Sequence, residues 1–85
     1  MDRVKVGEVF KYYSKPEVAA IRLSDGSLRV GDRIQIQGAT TDFSQVVESM
    51  EIEREKVDDA QIGQEVGVRT GERVRPGDRV YKLVE

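Results

Sequence analysis

Neither cysteine nor histidine occurs anywhere in the 85 residues. The first absence removes disulfides as a brace for a small fold, and the two together remove the usual ligands of zinc and iron–sulfur centres. No metal site and no cofactor is therefore expected. Without histidine, the serines and threonines, of which Thr40, Thr41 and Ser44 cluster, have no evident activating base. No SxxK signature supplies a lysine in its place, so a hydrolase is disfavoured and no catalytic residue is assigned. GxxxxGK[ST] is also missing, which excludes nucleotide binding through a P-loop. No apolar run approaches the roughly 20 residues of a membrane span, and the start MDRVKVG lacks the basic-then-apolar layout of a secretory signal. These two absences predict a soluble, cytoplasmic protein with no membrane partner. Asparagine is missing as well, and nine of the 14 basic residues are arginine, the direction that thermophile proteins take.

What is present is charge, in near balance. Charged residues make up 35% of the chain, but 14 basic against 16 acidic leave a net charge of −2. Non-specific nucleic-acid binding depends on neutralising many phosphates, so any RNA contact would have to be local. At this length the chain reads as a single domain over residues 1–85, which buries only about 60% of its unfolded surface.

The pattern along the chain is β throughout. Arg3 to Tyr13 is rich in β-branched and aromatic residues, with Gly7 where the alternation slips by one, which suggests a bulge. Ser14-Lys15-Pro16-Glu17 supplies turn chemistry, and Ala19, Ile21 and Leu23 then alternate as the second arm of a hairpin. After the turn at Ser24-Asp25-Gly26-Ser27, Arg33-Ile34-Gln35-Ile36-Gln37 is a period-two strand with both isoleucines inward. The stretch from Gly38 to Gly67 organises the rest. Phe43 and Val47 share one parity while Val46, Met50 and Ile52 share the other, so the segment reads as one long strand that bends and changes face. Its far end, Glu51 to Lys56, alternates charge as a protected edge would. Asp58 to Gln61 is expected to make a single helical turn. Val30-Gly31-Asp32-Arg33-Ile34 recurs as Pro76-Gly77-Asp78-Arg79-Val80, so one turn geometry is predicted to serve twice, with a glycine at positive φ and an aspartate bonding nearby amides. Six or seven short strands with this spacing predict an all-β fold, a small closed antiparallel barrel.

Other clusters have structural readings. Glu51, Glu53, Glu55, Asp58 and Asp59 lack the alternating ligand pattern of a calcium loop and read as a solvated edge. Arg69, Arg73, Arg75, Arg79 and Lys82 are interleaved with Glu72 and Asp78 and read as ordinary surface. The five aromatics, Phe10, Tyr12, Tyr13, Phe43 and Tyr81, are expected mostly in the core or at the barrel ends. Of the adjacent pair Tyr12 and Tyr13, one should face solvent.

Phe10 to Pro16, Gly26, the Val30–Ile34 motif, Met50 to Arg54, Ala60 to Gly63, Val66-Gly67-Val68 and Gly77 to Val80 together resemble the second-domain β-barrel of translational GTPases such as elongation factor Tu. The resemblance covers about nine-tenths of the chain and rests on order and spacing rather than on any one motif. It implies a translation-factor domain 2-like barrel of six to seven strands that, in elongation factor Tu, lies beside a GTPase domain and helps hold the aminoacylated end of tRNA. It places Phe10, Glu51 and Arg54 on the wall of the aminoacyl pocket. Glu65 departs from the pattern: the bacterial factors have an asparagine there, and a carboxylate would repel the ester and phosphate end of the tRNA. Similar barrels also form C-terminal appendages of collagenase-like peptidases.

With no GTPase domain ahead of Met1, the expectation is a stand-alone, non-enzymatic, elongation factor-like barrel that binds RNA, such as tRNA or the ribosome, through one local face. Phe10, Tyr12, Glu51, Arg54 and Glu65 are its candidate contacts. The alternative is a protein-interaction or accessory module that docks onto a separately encoded enzyme, as in those peptidases.

Overall fold

The computed structural model describes residues 2–84, which form strands and turns without a helix. Ten strands occur: β1 Asp2–Tyr13, β2 Val18–Arg22, β3 Leu28–Arg29, β4 Arg33–Gln37, β5 Asp42–Val46, β6 Met50–Ile52, β7 Glu55–Val57, β8 Asp59–Ala60, β9 Glu65–Arg69 and β10 Arg79–Val84. Eight make one antiparallel sheet in the order β5-β4-β10-β1-β2-β9-β6-β7, and β3 pairs with β8 in a second small sheet. The all-β, domain 2-like architecture is as expected.

β1 is long enough to serve both halves of the sheet. Its first part pairs with β10 and its second part with β2, and its register shifts twice, between Lys5 and Gly7 and between Val9 and Lys11. The first shift is the predicted bulge, and it needs glycine: a β-carbon on Gly7 would run into the carbonyl oxygen of Arg22. The second shift leaves Phe10 without a strand partner.

The long bent strand expected within the stretch from Gly38 to Gly67 is not continuous. The change of face is real, with Val46 exposed and Val47 and Met50 buried, but it takes place in a break between β5 and β6. Glu51 to Lys56 is likewise not a continuous edge. Ile52 pairs with Glu55, so Glu53 and Arg54 form the tip of a tight hairpin, at φ 51° and 67°. Such turns demand positive φ at both central positions and usually recruit asparagine or glycine, which is why the sequence hides this one. Asp59–Ala60 is a strand paired with Leu28–Arg29 rather than a helical turn, and the breaks raise the strand count above six or seven.

The main sheet is also not closed by pairing, since β5 and β7 are its two edges. The chain just beyond each edge is stitched to one turn instead. The Val30 N–H donates to the Asp58 carbonyl at 2.9 Å and the Gly31 N–H to the Val47 carbonyl at 2.8 Å, while the Val47 N–H donates to the Asp32 carbonyl at 2.8 Å. Inside this wrap lie Val6, Ile21, Leu28, Ile34, Ile36 and Met50, all at or below 1% exposure. Each side chain of this kind contributes about 1.5–3 kcal/mol on burial.

The repeated turn takes one form in both copies. Gly31 and Gly77 have φ 97° and 95°, and Oδ2 of Asp32 and of Asp78 accepts the N–H of Arg29 and of Arg75 at 2.8 and 2.9 Å.

Candidate functional site

A concavity of about 760 Å³ lies where the second half of β1 meets β2, β9 and the β6–β7 hairpin. Its shape follows from residue size. Ala20 on β2 pairs with Gly67 on β9, and Gly67 with Glu51 on β6, so the sheet there carries almost no side-chain bulk and its surface lies low. Around this floor stand Phe10, Tyr13, Pro16 and Val18 on one flank and Glu51 to Arg54 on the other. Phe10 faces outward because the bulge at its position takes it out of the ladder.

Four of the five residues singled out from the sequence, Phe10, Glu51, Arg54 and Glu65, line this one groove. Tyr12 does not. It packs against the core, and its neighbour Tyr13, exposed, takes the place on the groove wall. Adjacent strand residues face opposite ways, so one of the pair had to point inward.

Arg22 is the functional candidate that the sequence did not disclose. Its Nε and Nη2 both donate to Oε2 of Glu65, at 3.1 and 2.8 Å, while its guanidinium lies 5.1 Å from the centre of the Phe10 ring. One arginine thus joins the carboxylate on β9 to the aromatic on β1. The pairing also bears on the expected repulsion at Glu65, whose charge is matched by Arg22. Arg54, across the groove, makes no ion pair among the described residues. The cross-strand register Arg22↔Glu65 is the signal that would have found the pair, and it becomes readable only once β2 and β9 are known to be neighbours.

Among the described residues no group of three or more acidic side chains is placed to hold a metal ion, and no helix is long and apolar enough to cross a membrane.

Residues 17–81 match the family model for elongation factor Tu domain 2. The chain belongs to that family. Two of its relatives carry protease names. The chain is 43% identical over 84 residues, 98% of its length, to an uncharacterized protease of Methanocaldococcus jannaschii. It is 37% identical over 82 residues, 95% of its length, to a collagenase of Porphyromonas gingivalis. In each case it spans only 20% of the relative's length. Among solved structures, the C-terminal domain of a Geobacillus thermoleovorans protein named as a U32 peptidase superposes with a TM-score of 0.85 at 23% identity, over 93% of this chain and 91% of that one. That likeness shows the fold. The relatives bear out the accessory-module alternative better than the stand-alone translation factor.

Proposed function

We propose that this member of the elongation factor Tu domain 2 family is a non-catalytic accessory barrel of a peptidase-type enzyme, which docks on the catalytic body and offers the Phe10 groove to an extended polypeptide. The observation that carries this reading is the match of nearly the whole chain to one fifth of proteins named protease and collagenase. The groove suits the task. Phe10, Tyr13, Pro16 and Val18 offer apolar contact, while Glu51, Arg54 and Glu65, the last held by Arg22, offer charged hydrogen-bonding groups along the rim. Chemistry is left to the body, because this chain has no histidine or cysteine to activate a nucleophile.

A full-length chimera in which this chain replaces the matched fifth of the Porphyromonas gingivalis collagenase tests the reading. Gelatin turnover should persist in the chimera and be absent from the isolated chain. Phe10→Ala should raise KM about tenfold with kcat little changed, the pattern of lost ground-state binding. An unchanged KM would remove the groove from the mechanism.

A second reading, an RNA end held in the same groove, draws on family membership and on the Arg22–Phe10 stack. Against it, the groove is lined by three carboxylates, Glu51, Glu53 and Glu65, and by one arginine, Arg54, while Arg22 is already paired with Glu65, so a phosphate chain would meet a wall of net negative charge. Filter binding of total RNA at several salt concentrations separates the two: binding that weakens steeply with salt and is lost in Arg54→Ala would favour RNA.

A further inference from the structure

A second cluster of side chains lies on the outer face of β4, β10 and the first half of β1. Arg3 and Phe10 are seven residues apart on β1, which puts Arg3 roughly 20 Å from the groove, while Arg79, opposite Glu8, stands nearer to it. The Arg3 guanidinium lies 4.1 Å from the centre of the Tyr81 ring. Its Nη1 donates to Oε1 of Gln35 at 3.2 Å and to Oε1 of Gln37 at 2.9 Å. Arg79 converges on the same tyrosine, its Nε donating to the Tyr81 hydroxyl oxygen at 3.0 Å.

Two features of this arrangement suit it to receive a carboxylate. First, neither arginine has a carboxylate partner among the described residues. Two nearby acids among the described residues are engaged: Glu8, cross-strand from Arg79, is held by Lys5 at 3.0 Å, and Asp42 accepts the Gln35 amide at 3.0 Å. Second, among the described residues the groups that hold Arg3, namely Gln35, Gln37 and Tyr81, are neutral. Fixing a long side chain costs rotamer entropy, and two like charges sharing one tyrosine repel each other. The return on that cost is a guanidinium already oriented to fork an incoming oxyanion.

The position of the cluster says what brings the anion. Asp2 pairs with Val84 and Arg3 with Leu83, so both ends of the described chain emerge beside it. In relatives where the barrel is one fifth of the length, the rest of the polypeptide is therefore tethered next to Arg3, at high effective concentration. An RNA strand is less well matched, because Arg3 already covers the one aromatic face on which a base could stack. Val46, cross-strand from Arg33 and exposed, adds an apolar contact of the kind that a protein surface uses.

We propose that the outer face of β4, β10 and β1, centred on Arg3 and Arg79, is the surface by which this barrel docks on the catalytic body of a peptidase-type enzyme, through a pair of carboxylates on that body. The proposal rests on the accessory-module reading above.

The collagenase chimera carrying Arg3→Gln and Arg79→Gln tests it, read by the rate of limited proteolysis at the junction between body and barrel. In the parent chimera the junction is protected at low salt and opens as salt rises. The double variant should be cut about tenfold faster at low salt and lose most of its salt dependence, the size of effect expected for losing two exposed but oriented ion pairs. Tyr81→Phe, which removes only the hydroxyl that holds Arg79, should fall between. Circular dichroism of the isolated chain with the same changes controls for folding. A double variant as protected as its parent would overturn the proposal, and a KM still sensitive to Phe10→Ala would leave the accessory reading standing. A parent junction cut rapidly at every salt concentration would overturn both the docking reading and this proposal. RNA binding by the isolated chain that the double variant abolishes, with junction protection unchanged, would give the face to nucleic acid instead.

Discussion

Asp78 stands against Gly38 so closely that a β-carbon at position 38 would overlap its Oδ1. The other oxygen of the same carboxylate accepts the Arg75 N–H, and the residue is only 4% exposed. Its counterpart in the first copy of the turn, Asp32, keeps a quarter of its side chain in solvent and lies 3.6 Å from Lys82. The same local turn is thus an internal brace in one copy and part of the surface in the other. Asp78→Ala is expected to cost about 1–3 kcal/mol, because the Arg75 N–H loses its acceptor in a largely buried setting. Asp32→Ala should cost less than that. Gly38→Ala should be as damaging as Asp78→Ala, since the carboxylate must move. Urea denaturation of the three variants checks the order.

Replacing Gly31 or Gly77 with alanine should cost about 1 kcal/mol or more through backbone strain alone, because a β-carbon at either position meets no atom within 4 Å. Gly71→Ala, where φ is not positive and the nearest atom is Gln45 Oε1 at 3.9 Å, should change stability by a few tenths of a kcal/mol at most. Equal effects at all three would break the link between the repeat and its conformation. Thermal melts monitored by circular dichroism resolve the comparison.

Gln45 on β5 ties its edge of the sheet to the end of β9. Its Nε2 donates to the Arg69 carbonyl at 2.8 Å and its Oε1 accepts the Gly71 N–H at 2.9 Å, so a side-chain amide does there what a neighbouring strand would do. Gln45→Ala should cost about 1 kcal/mol overall. It should also speed hydrogen exchange at the Gly71 amide well beyond the global change, which amide-resolved exchange would detect.

Arg22→Ala should leave the fold nearly intact. The Arg22–Glu65 pair is more than half exposed on both sides, and pairs of that kind are worth between zero and about 1 kcal/mol. Its effect belongs to the groove, where Phe10 and Glu65 would lose their common partner. In the collagenase chimera KM should rise, and a melting temperature within a few degrees of the parent would show that unfolding is not the cause.

Much of this architecture could be read from residue order. The slip at Gly7 marked a bulge, Ile34 and Ile36 marked the core face of β4, and the two Gly-Asp motifs marked two equivalent turns. The failures share a physical cause. Glu53 and Arg54 form a hairpin tip without asparagine or glycine, held in the left-handed region by the pairing of β6 with β7 and not by their own preference. Asp59–Ala60 is extended because Leu28–Arg29 lies beside it, which no window of local sequence contains. The groove was half visible for the same reason. Phe10, Glu51, Arg54 and Glu65 were reached through family resemblance, whereas Arg22 and Tyr13 owe their places to strand neighbours and to the second bulge of β1.

The pairing of Asp2 with Val84 sets the two ends of the described chain side by side. Cα atoms facing each other across an antiparallel ladder are about 4.5–5.5 Å apart, less than the gap that many surface loops already span. A host protein could accept the whole unit at a single loop without stretching or reshaping its own backbone. Gene fusion could also add the unit to a chain end with equal ease from either side. A fold whose entrance and exit coincide can move between unrelated machines while its interior stays unchanged, and barrels of one family joined to translation factors and to proteins named as peptidases are what such mobility would leave behind.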